Sequence, residues 1–289
     1  MAQQHVIRIP DVLASSVDSI ESLLVLLHEL PTQRAIVLTM DQVRFIFPHG
    51  TAFLLSICRY LAHLAGGPVR ITGLESKVHA YLRRVDFFER VASWAYTVDK
   101  FDKMDDLSRS AASPNVLELT AITTSRDVYE VGRRARLILN NWLIEASYDI
   151  DHIVIMLAEA CSNVVDHSCD TGHVIIQKYS YSSHAVVRLA IADLGISIRG
   201  SLRAAYPHLD DTCSGYIQRA LEGLSARRGP RGGEGLGAIA RIVASNGGSL
   251  DIRSETGLLQ IQGDGHSVLH DNLAFFPGTQ VAITFRSQS

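Results

Sequence analysis

The sequence predicts an α/β protein of two successive domains, on three observations. The chain has 289 residues, 47% of them hydrophobic, which is enough apolar material for two cores and long for one. Its first third alternates short β-rich runs with runs of helical apolar spacing, the pattern of strand–helix–strand units. After a change of composition, the rest places helices ahead of strands joined by short polar turns. The expected boundaries are 1–92 for the first domain, 93–114 for a connection and 115–289 for the second domain.

In the first block, HVIRIP (5–10) and RAIVLTM (34–40) read as strands, and VDSIESLLVLLHEL (17–30) between them as a helix. GTAFLLSICRYLAHLAG (50–66) is a second amphipathic helix. PVRITGL (68–74) is a strand introduced by Gly-Gly-Pro, and SKVHAYLRRV (76–85) a helix opened by a capping serine. Residues 93–114 turn charged, then Ser/Ala-rich, then reach Pro114, as a connecting segment does.

In the second block, residues 115–125 read as a strand and 126–143 as a helix, with a further helix over 150–168. HVIIQKYSYS (173–182) and AVVRLAIADLG (185–195) are strands joined by a polar turn. Residues 237–248 form a helix stopped by glycine, followed by strands at 249–255 and 279–285. The expected result is helices stacked on one face of a mixed sheet.

Bulk composition narrows the functional classes. The chain carries 27 basic and 30 acidic residues, a net charge of −3, with no long basic run, so direct nucleic-acid binding is not expected. Cys58, Cys161, Cys169 and Cys213 form no C-x-x-C pair and read as reduced, mostly buried thiols. No basic segment precedes an apolar run at the N-terminus, and no apolar stretch approaches about 18 residues. The expectation is a soluble, cytoplasmic protein.

The chemistry gathers at three places. EACSNVVDHS (159–168) ends a helix whose far side is apolar; at about 100° per residue, Glu159, Asn163, Asp166 and His167 share its polar side. Such a stripe is ordinarily a solvated face. IADLGIS (191–197) sets Asp193 where an apolar strand runs out, with Gly195 removing a side chain two residues on, so that a flat ligand could slide along the backbone. RRGPRGGEGLG (227–237) leaves a run of peptide N–H groups at the start of a helix, beside Arg227, Arg228 and Arg231, which suits an anion. No Gly-Lys-Ser/Thr follows, and no strand-then-GxGxxG context precedes, so neither a Walker A loop nor a dinucleotide fold is indicated.

The order E-x-x-x-N, then D-x-G, then G-x-G-x-G, then PGTQVAITF resembles the ATP-binding domain shared by histidine kinases, gyrase-type topoisomerases, Hsp90 chaperones and anti-sigma-factor serine kinases, over roughly 115–289. EACSNVVDHS looks most like the anti-sigma kinase branch. The resemblance implies a two-layer α/β sandwich, the Bergerat fold, that takes ATP and Mg²⁺. It implies Asn163 as the metal ligand, Glu159 as general base and Asp193 as acceptor for the adenine amino group, with Gly195 admitting the base. Gly233, Gly235 and Gly237 would flank the phosphates, and Thr279 would lie beneath the adenine. Where the family reads D-x-G-x-G, this chain has Ser197 at the second glycine, and residues 197–232 are long enough for a helical lid.

RAIVLTMDQVRFIFPHGTAFLLSI (34–57) is similar to the core of a STAS domain, the fold of anti-sigma-factor antagonists. In that family a serine sits at the helix N-terminus; here Pro48 and His49 stand in its place and the nearest hydroxyl is Thr51. The two resemblances together imply a serine/threonine kinase of the anti-sigma type acting on a separate protein, a STAS-domain or sigma-factor-type regulator, with a homodimer by analogy. An ATP-gated interaction switch that transfers no phosphate is the other reading. A histidine kinase fragment is disfavoured, because no helical hairpin with a phosphoacceptor histidine precedes the ATP domain.

Overall fold

The computed structural model describes residues 4–13, 17–28, 35–99, 116–142, 149–182, 184–226 and 235–288. The chain divides into two compact units, Met1–Ser113 and Pro114–Ser289.

In the first unit the order is β1 (His5–Arg8), β2 (Val12–Leu13), α1 (Val17–His28), β3 (Ile36–Thr39), β4 (Phe45–Ile46), α2 (Pro48–Ala65), β5 (Val69–Thr72), α3 (Ser76–Arg84), α4 (Phe87–Val91) and β6 (Ala95–Thr97). Strands β1, β3, β5 and β6 form a four-stranded sheet with parallel pairing throughout, and β2 pairs parallel with β4. Parallel neighbours need crossovers, which the intervening helices supply. Helix α2 is apolar nearly all round, and every residue from Pro48 to Cys58 is buried. Residues 95–97, assigned from composition to the connection, are instead the edge strand of this sheet. Tyr96 and Thr97 pair with Arg70 and Ile71, while the charged stretch from 100 to 114 lies outside the described residues.

In the second unit the order is β7 (Val116–Ile122), α5 (Ser125–Trp142), α6 (Ile150–Asn163), a π-helical turn (Val164–Ser168), β8 (Gly172–Ser180), β9 (His184–Ala192), α7 (Ser197–Ala205), α8 (Cys213–Leu221), α9 (Gly235–Ser245), β10 (Ser249–Glu255), β11 (Gly257–Ile261), β12 (Ser267–His270) and β13 (Phe276–Gln288). The seven strands lie in the order β12-β11-β10-β13-β9-β8-β7. Every adjacent pair is antiparallel, where a mixed sheet was expected. The cause is β13. Strands β9 and β10 run the same way, as a helical crossover requires, and the last strand fills the slot between them in the opposite direction.

Alternation along each strand sends one set of side chains toward the helices. Ile176, Leu189, Ile191, Ile252 and Ile283 pack there with Ile153, Leu157 and Cys161 of α6 and Ile239 and Val243 of α9. The result is a two-layer α/β sandwich with one main core, beside which Leu202, Tyr216 and Ala220 form a small second cluster. Helix α5 starts on a tight cap: Asp127 accepts the backbone N–H and hydroxyl of both Thr123 and Thr124, which lowers its pKa to about 2. The four cysteines are unpaired thiols; Cys169 is exposed, the others buried, and burial pushes the Cys58 thiol up to about 12. Among the described residues, no helix is long and apolar enough to cross a membrane.

Candidate functional site

Helix α6 is capped by Asp149, whose side chain accepts the His152 N–H at 3.1 Å. Its buried residues Ile153, Leu157, Ala160 and Cys161 fix the rotation of the helix against the sheet. Glu159 and Asn163, half-buried, consequently face away from the sheet into a cleft. At Val164 the helix widens into a π-turn, a feature found often at functional sites. The looser winding changes the outcome for the last residues of EACSNVVDHS. His167 stays on the Glu159–Asn163 side and Ser168 turns inward, whereas Asp166, grouped with them by regular α-spacing, is exposed and off the cleft. Burial lowers the His167 pKa, partly offset by the nearby Glu159 charge, and its Nδ1 lies 3.4 Å from the Ser201 hydroxyl.

Asp193 follows the last residue of β9 and is 4% exposed. Its N–H donates to the Thr279 carbonyl at 3.0 Å, so β13 holds Thr279 beside it. Oδ1 accepts the Ser168 hydroxyl and the Gly195 N–H, each at 2.8 Å. Burial pushes the carboxyl up to about 6, with the Gly195 and Ser168 hydrogen bonds pulling the other way. The turn is fastened from outside as well: Leu194 N–H donates to Asp170 at 3.1 Å and Ile196 N–H to the Ser168 carbonyl at 2.9 Å. A Cβ on Gly195 would run into the Ser168 carbonyl and hydroxyl. Packing against the π-turn is therefore what demands glycine here. Gly195 is not among the residues that line the cleft, and the side on which a Cβ would stand faces Ser168.

The opposite wall comes from Ser197, Ile198, Ser201 and Leu202 of α7, Ala220 of α8, and Gly235 and Leu236 of α9. Gly235 abuts the catalytic candidate directly: a Cβ there would fall 2.5 Å from Glu159 Oε1. Gly237 lies off the cleft, its Cα turned toward the Leu221 carbonyl at the end of α8, where a Cβ would come within 2.6 Å. Gly233, with Arg227, Arg228 and Arg231, lies outside the described residues. The structure thus brings Glu159, Asn163, Asp193, Gly235 and Thr279 onto one cleft, with about 920 Å³ of space between its walls and out to solvent. Apolar Ile191, Ile198, Leu236 and Val281 alternate there with a few polar groups, the usual make-up of a small-molecule site.

The residues present fit a phosphate–metal ligand. Asn163 Nδ2 is buried without a hydrogen-bond partner among the described residues, a costly state that a phosphate oxygen would relieve; turned over, the same amide presents its oxygen to a cation. Among the described residues no three His, Cys, Asp or Glu side chains cluster as metal ligands. A single amide ligand suits Mg²⁺, which ordinarily completes its shell with phosphate oxygens and water. Gly235 heads an eleven-residue helix, whose first N–H groups and dipole favour an anion.

Sequence reasoning missed Ser168, the donor to Asp193, although it closes the very stretch that was read. It also missed Ser254 and Glu255, which bond to the start of α7 from more than fifty residues away. In the first unit Thr51 is fully buried; its hydroxyl lies 3.0 Å from both the Phe47 carbonyl and the Tyr81 hydroxyl.

Residues 123–257 match the family model of the histidine kinase-like ATPase domain, from the threonines that cap α5 to the β10–β11 turn. The cleft residues Glu159, Asn163, Asp193 and Gly235 fall inside that span, and Thr279 beyond it. No curated protein matches the chain.

Proposed function

We propose that the second unit binds ATP with Mg²⁺ in this cleft and that the protein acts as an ATP-dependent regulator of a separate protein. The match over 123–257 supports ATP binding, since histidine kinase-like ATPase domains bind ATP, generally with Mg²⁺. One observation carries the assignment of groups: an Asn163 amide with no partner among the described residues, a buried Asp193 carboxyl and the head of α9 open onto the same cleft. Asn163 would hold the cation, which would neutralise phosphate charge, and Asp193 would accept the adenine amino group over Thr279. Glu159, next to Gly235, would take the proton of an attacking hydroxyl or water.

In the kinase reading, of the anti-sigma serine/threonine type, the acceptor belongs to a partner protein, a STAS-domain or sigma-factor-type regulator. The burial of Thr51 supports a separate acceptor, since its hydroxyl is already engaged and out of contact with solvent. The same burial leaves room for a switch that binds ATP and transfers nothing. Calorimetric titration with Mg-ATP, then with other nucleotides, tests the shared premise. An Asn163→Ala protein that keeps full Mg²⁺-dependent affinity would refute the metal assignment. Labelled ATP incubated with candidate partners separates the two readings, because only the kinase leaves a phosphoprotein.

A further inference from the structure

Of the four described residues other than glycine that hold left-handed backbone in this unit, Cys169, Ser197, Glu255 and Asn272, two touch each other: Ser197 at φ +68° and Glu255 at φ +54°. The Ser197 hydroxyl donates to Glu255 Oε1 at 2.7 Å. Side chains pay for such backbone in steric strain, so it persists only where the surroundings over-determine it. They do so here. The β10–β13 register shifts between Ser254 and Glu255, and a bulge of this kind re-aims the side chains that flank it. Glu255 Oε2 accepts from Arg199 Nη1 and from Cys213 Sγ, both at 3.4 Å. Ser254 accepts the Ile198 N–H and passes its own hydroxyl to the Gly278 carbonyl, each at 3.1 Å. The Ser197 oxygen also receives the Gly200 N–H at 3.0 Å, closing the first turn of α7.

We propose that Glu255 is a positioning residue for the cleft: one carboxylate fastens the first turns of α7 and α8 to the end of β10. It thereby sets the wall made by Ser197, Ile198, Ser201, Leu202 and Ala220. Glu255 itself does not line the cleft, and it acts through Ser197, which does. The two oxygens divide the work. Oε1 holds α7 through Ser197, and Oε2 joins both helices, α7 through Arg199 and α8 through Cys213. A ligand in the cleft rests against this wall, so loosening the wall should speed its release.

The ligand arm of this inference rests on the nucleotide reading; the fastening itself does not. The test compares wild type, Glu255→Gln, Glu255→Ala, Ser197→Ala and the double variant in two measurements. In amide hydrogen exchange without nucleotide, Glu255→Ala should speed exchange over 197–205 and 213–221 and leave β8, β9 and β13 unchanged. Glu255→Gln, which keeps one acceptor oxygen but loses the charge paired with Arg199, should speed exchange in both helices by less than Glu255→Ala does. In stopped-flow release of Mg-ATP, Glu255→Ala should release about tenfold faster, a charged hydrogen bond's worth. Adding Ser197→Ala to it should change release by less than Ser197→Ala does alone, because the bond to Glu255 is already gone and only the Gly200 bond remains to be lost. Unchanged exchange in both helices, or a rise spread evenly over the sheet, would overturn the proposal, and so would fully additive effects of the two Ala substitutions. A wild-type protein that binds no Mg-ATP would remove the nucleotide reading, and exchange alone would then decide the role of Glu255.

Discussion

The Ser168 hydroxyl and the Asp193 carboxyl meet at 2.8 Å across a helix end and a strand end, and Gly195 donates to the same oxygen. Asp193 is therefore aimed before any ligand arrives, and an acceptor that needs no reorganisation discriminates well between ligands that do and do not carry a donor. Asp193→Ala should weaken ATP by about ten- to a hundredfold, the range of a hydrogen bond to a charged group. Inorganic tripolyphosphate, which has no amino group to lose, should be little affected. Parallel titrations of the two ligands check this, and equal losses would exclude the role.

The same carboxyl ties binding to pH. Its pKa in the fold is about 6 against an ordinary 3.8, because burial disfavours the charged form. The folded state therefore holds this proton more tightly than the unfolded chain does. As pH falls through about 6 the group adds to stability, and that contribution is complete only below the unfolded value. Asp251, raised to about 6 by burial as well, acts in the same direction. Affinity for an amino donor should run the opposite way and decline below about pH 6, as the carboxylate is lost. Calorimetry between pH 5 and 8, set beside urea unfolding at each pH, should show ATP affinity falling where these two groups do not weaken the fold. In Asp193→Asn that part of the pH dependence should vanish.

Ser197 allows its backbone strain to be separated from its hydrogen bonds. Ser197→Ala keeps the left-handed φ of +68° and loses the bonds to Glu255 and Gly200; Ser197→Gly loses the same bonds and relieves the strain. Urea unfolding should place the alanine protein about 1–2 kcal/mol below the glycine one, the cost of holding a Cβ in that region.

At Gly195 the opposing atoms are the Ser168 carbonyl group as well as its hydroxyl, and the carbonyl, being backbone, cannot swing aside. Gly195→Ala would drive a methyl into the Ser168 carbonyl and should cost several kcal/mol, on the order of 3 or more, or break the π-turn away from the strand. Gly200→Ala, inside α7 with its nearest neighbour at 3.4 Å, should be neutral or slightly stabilising. Thermal unfolding of the two variants separates a packing glycine from an ordinary helical one.

The fold was legible wherever one period ran long enough to bury a face. Strand β10 occupies 249–255 as read, and α2, α5 and α9 fall within a few residues of their expected spans. Two-residue strands such as β2 and β4 carry no period at all, and β6 was hidden in a stretch whose composition looked like a connection. The site was legible as residue types in a fixed order: Glu159, Asn163, Asp193, Gly235 and Thr279 do share a cleft. What each glycine makes room for was not legible. Gly195 admits Ser168 and Gly237 admits the Leu221 carbonyl, and those neighbours come from 27 and 16 positions away. The π-turn was equally hidden, because it is built from residues that suit an α-helix, and its effect shows only in Asp166 turning out and Ser168 turning in.

Gly235 and Glu159 offer a way to disturb chemistry while sparing the fold. A Cβ on Gly235 would come within 2.5 Å of Glu159 Oε1, but that atom is the free end of a flexible side chain rather than a fixed peptide group. Gly235→Ala should therefore leave unfolding almost unchanged, with a slight gain from an alanine in the first turn of α9. The carboxylate, however, must rotate away from the head of that helix. If Glu159 takes a proton during turnover, a displacement of about 1 Å costs on the order of a hundredfold in rate, while nucleotide affinity, resting on Asn163 and Asp193, moves little. Phosphate release or transfer measured beside Mg-ATP binding would show turnover dropping at near-constant affinity. Glu159→Gln should reproduce that pattern, and the double variant should be no slower than either single one, since both remove the same proton acceptor. Multiplying losses in the double variant would mean that Gly235 acts on the phosphates independently of Glu159.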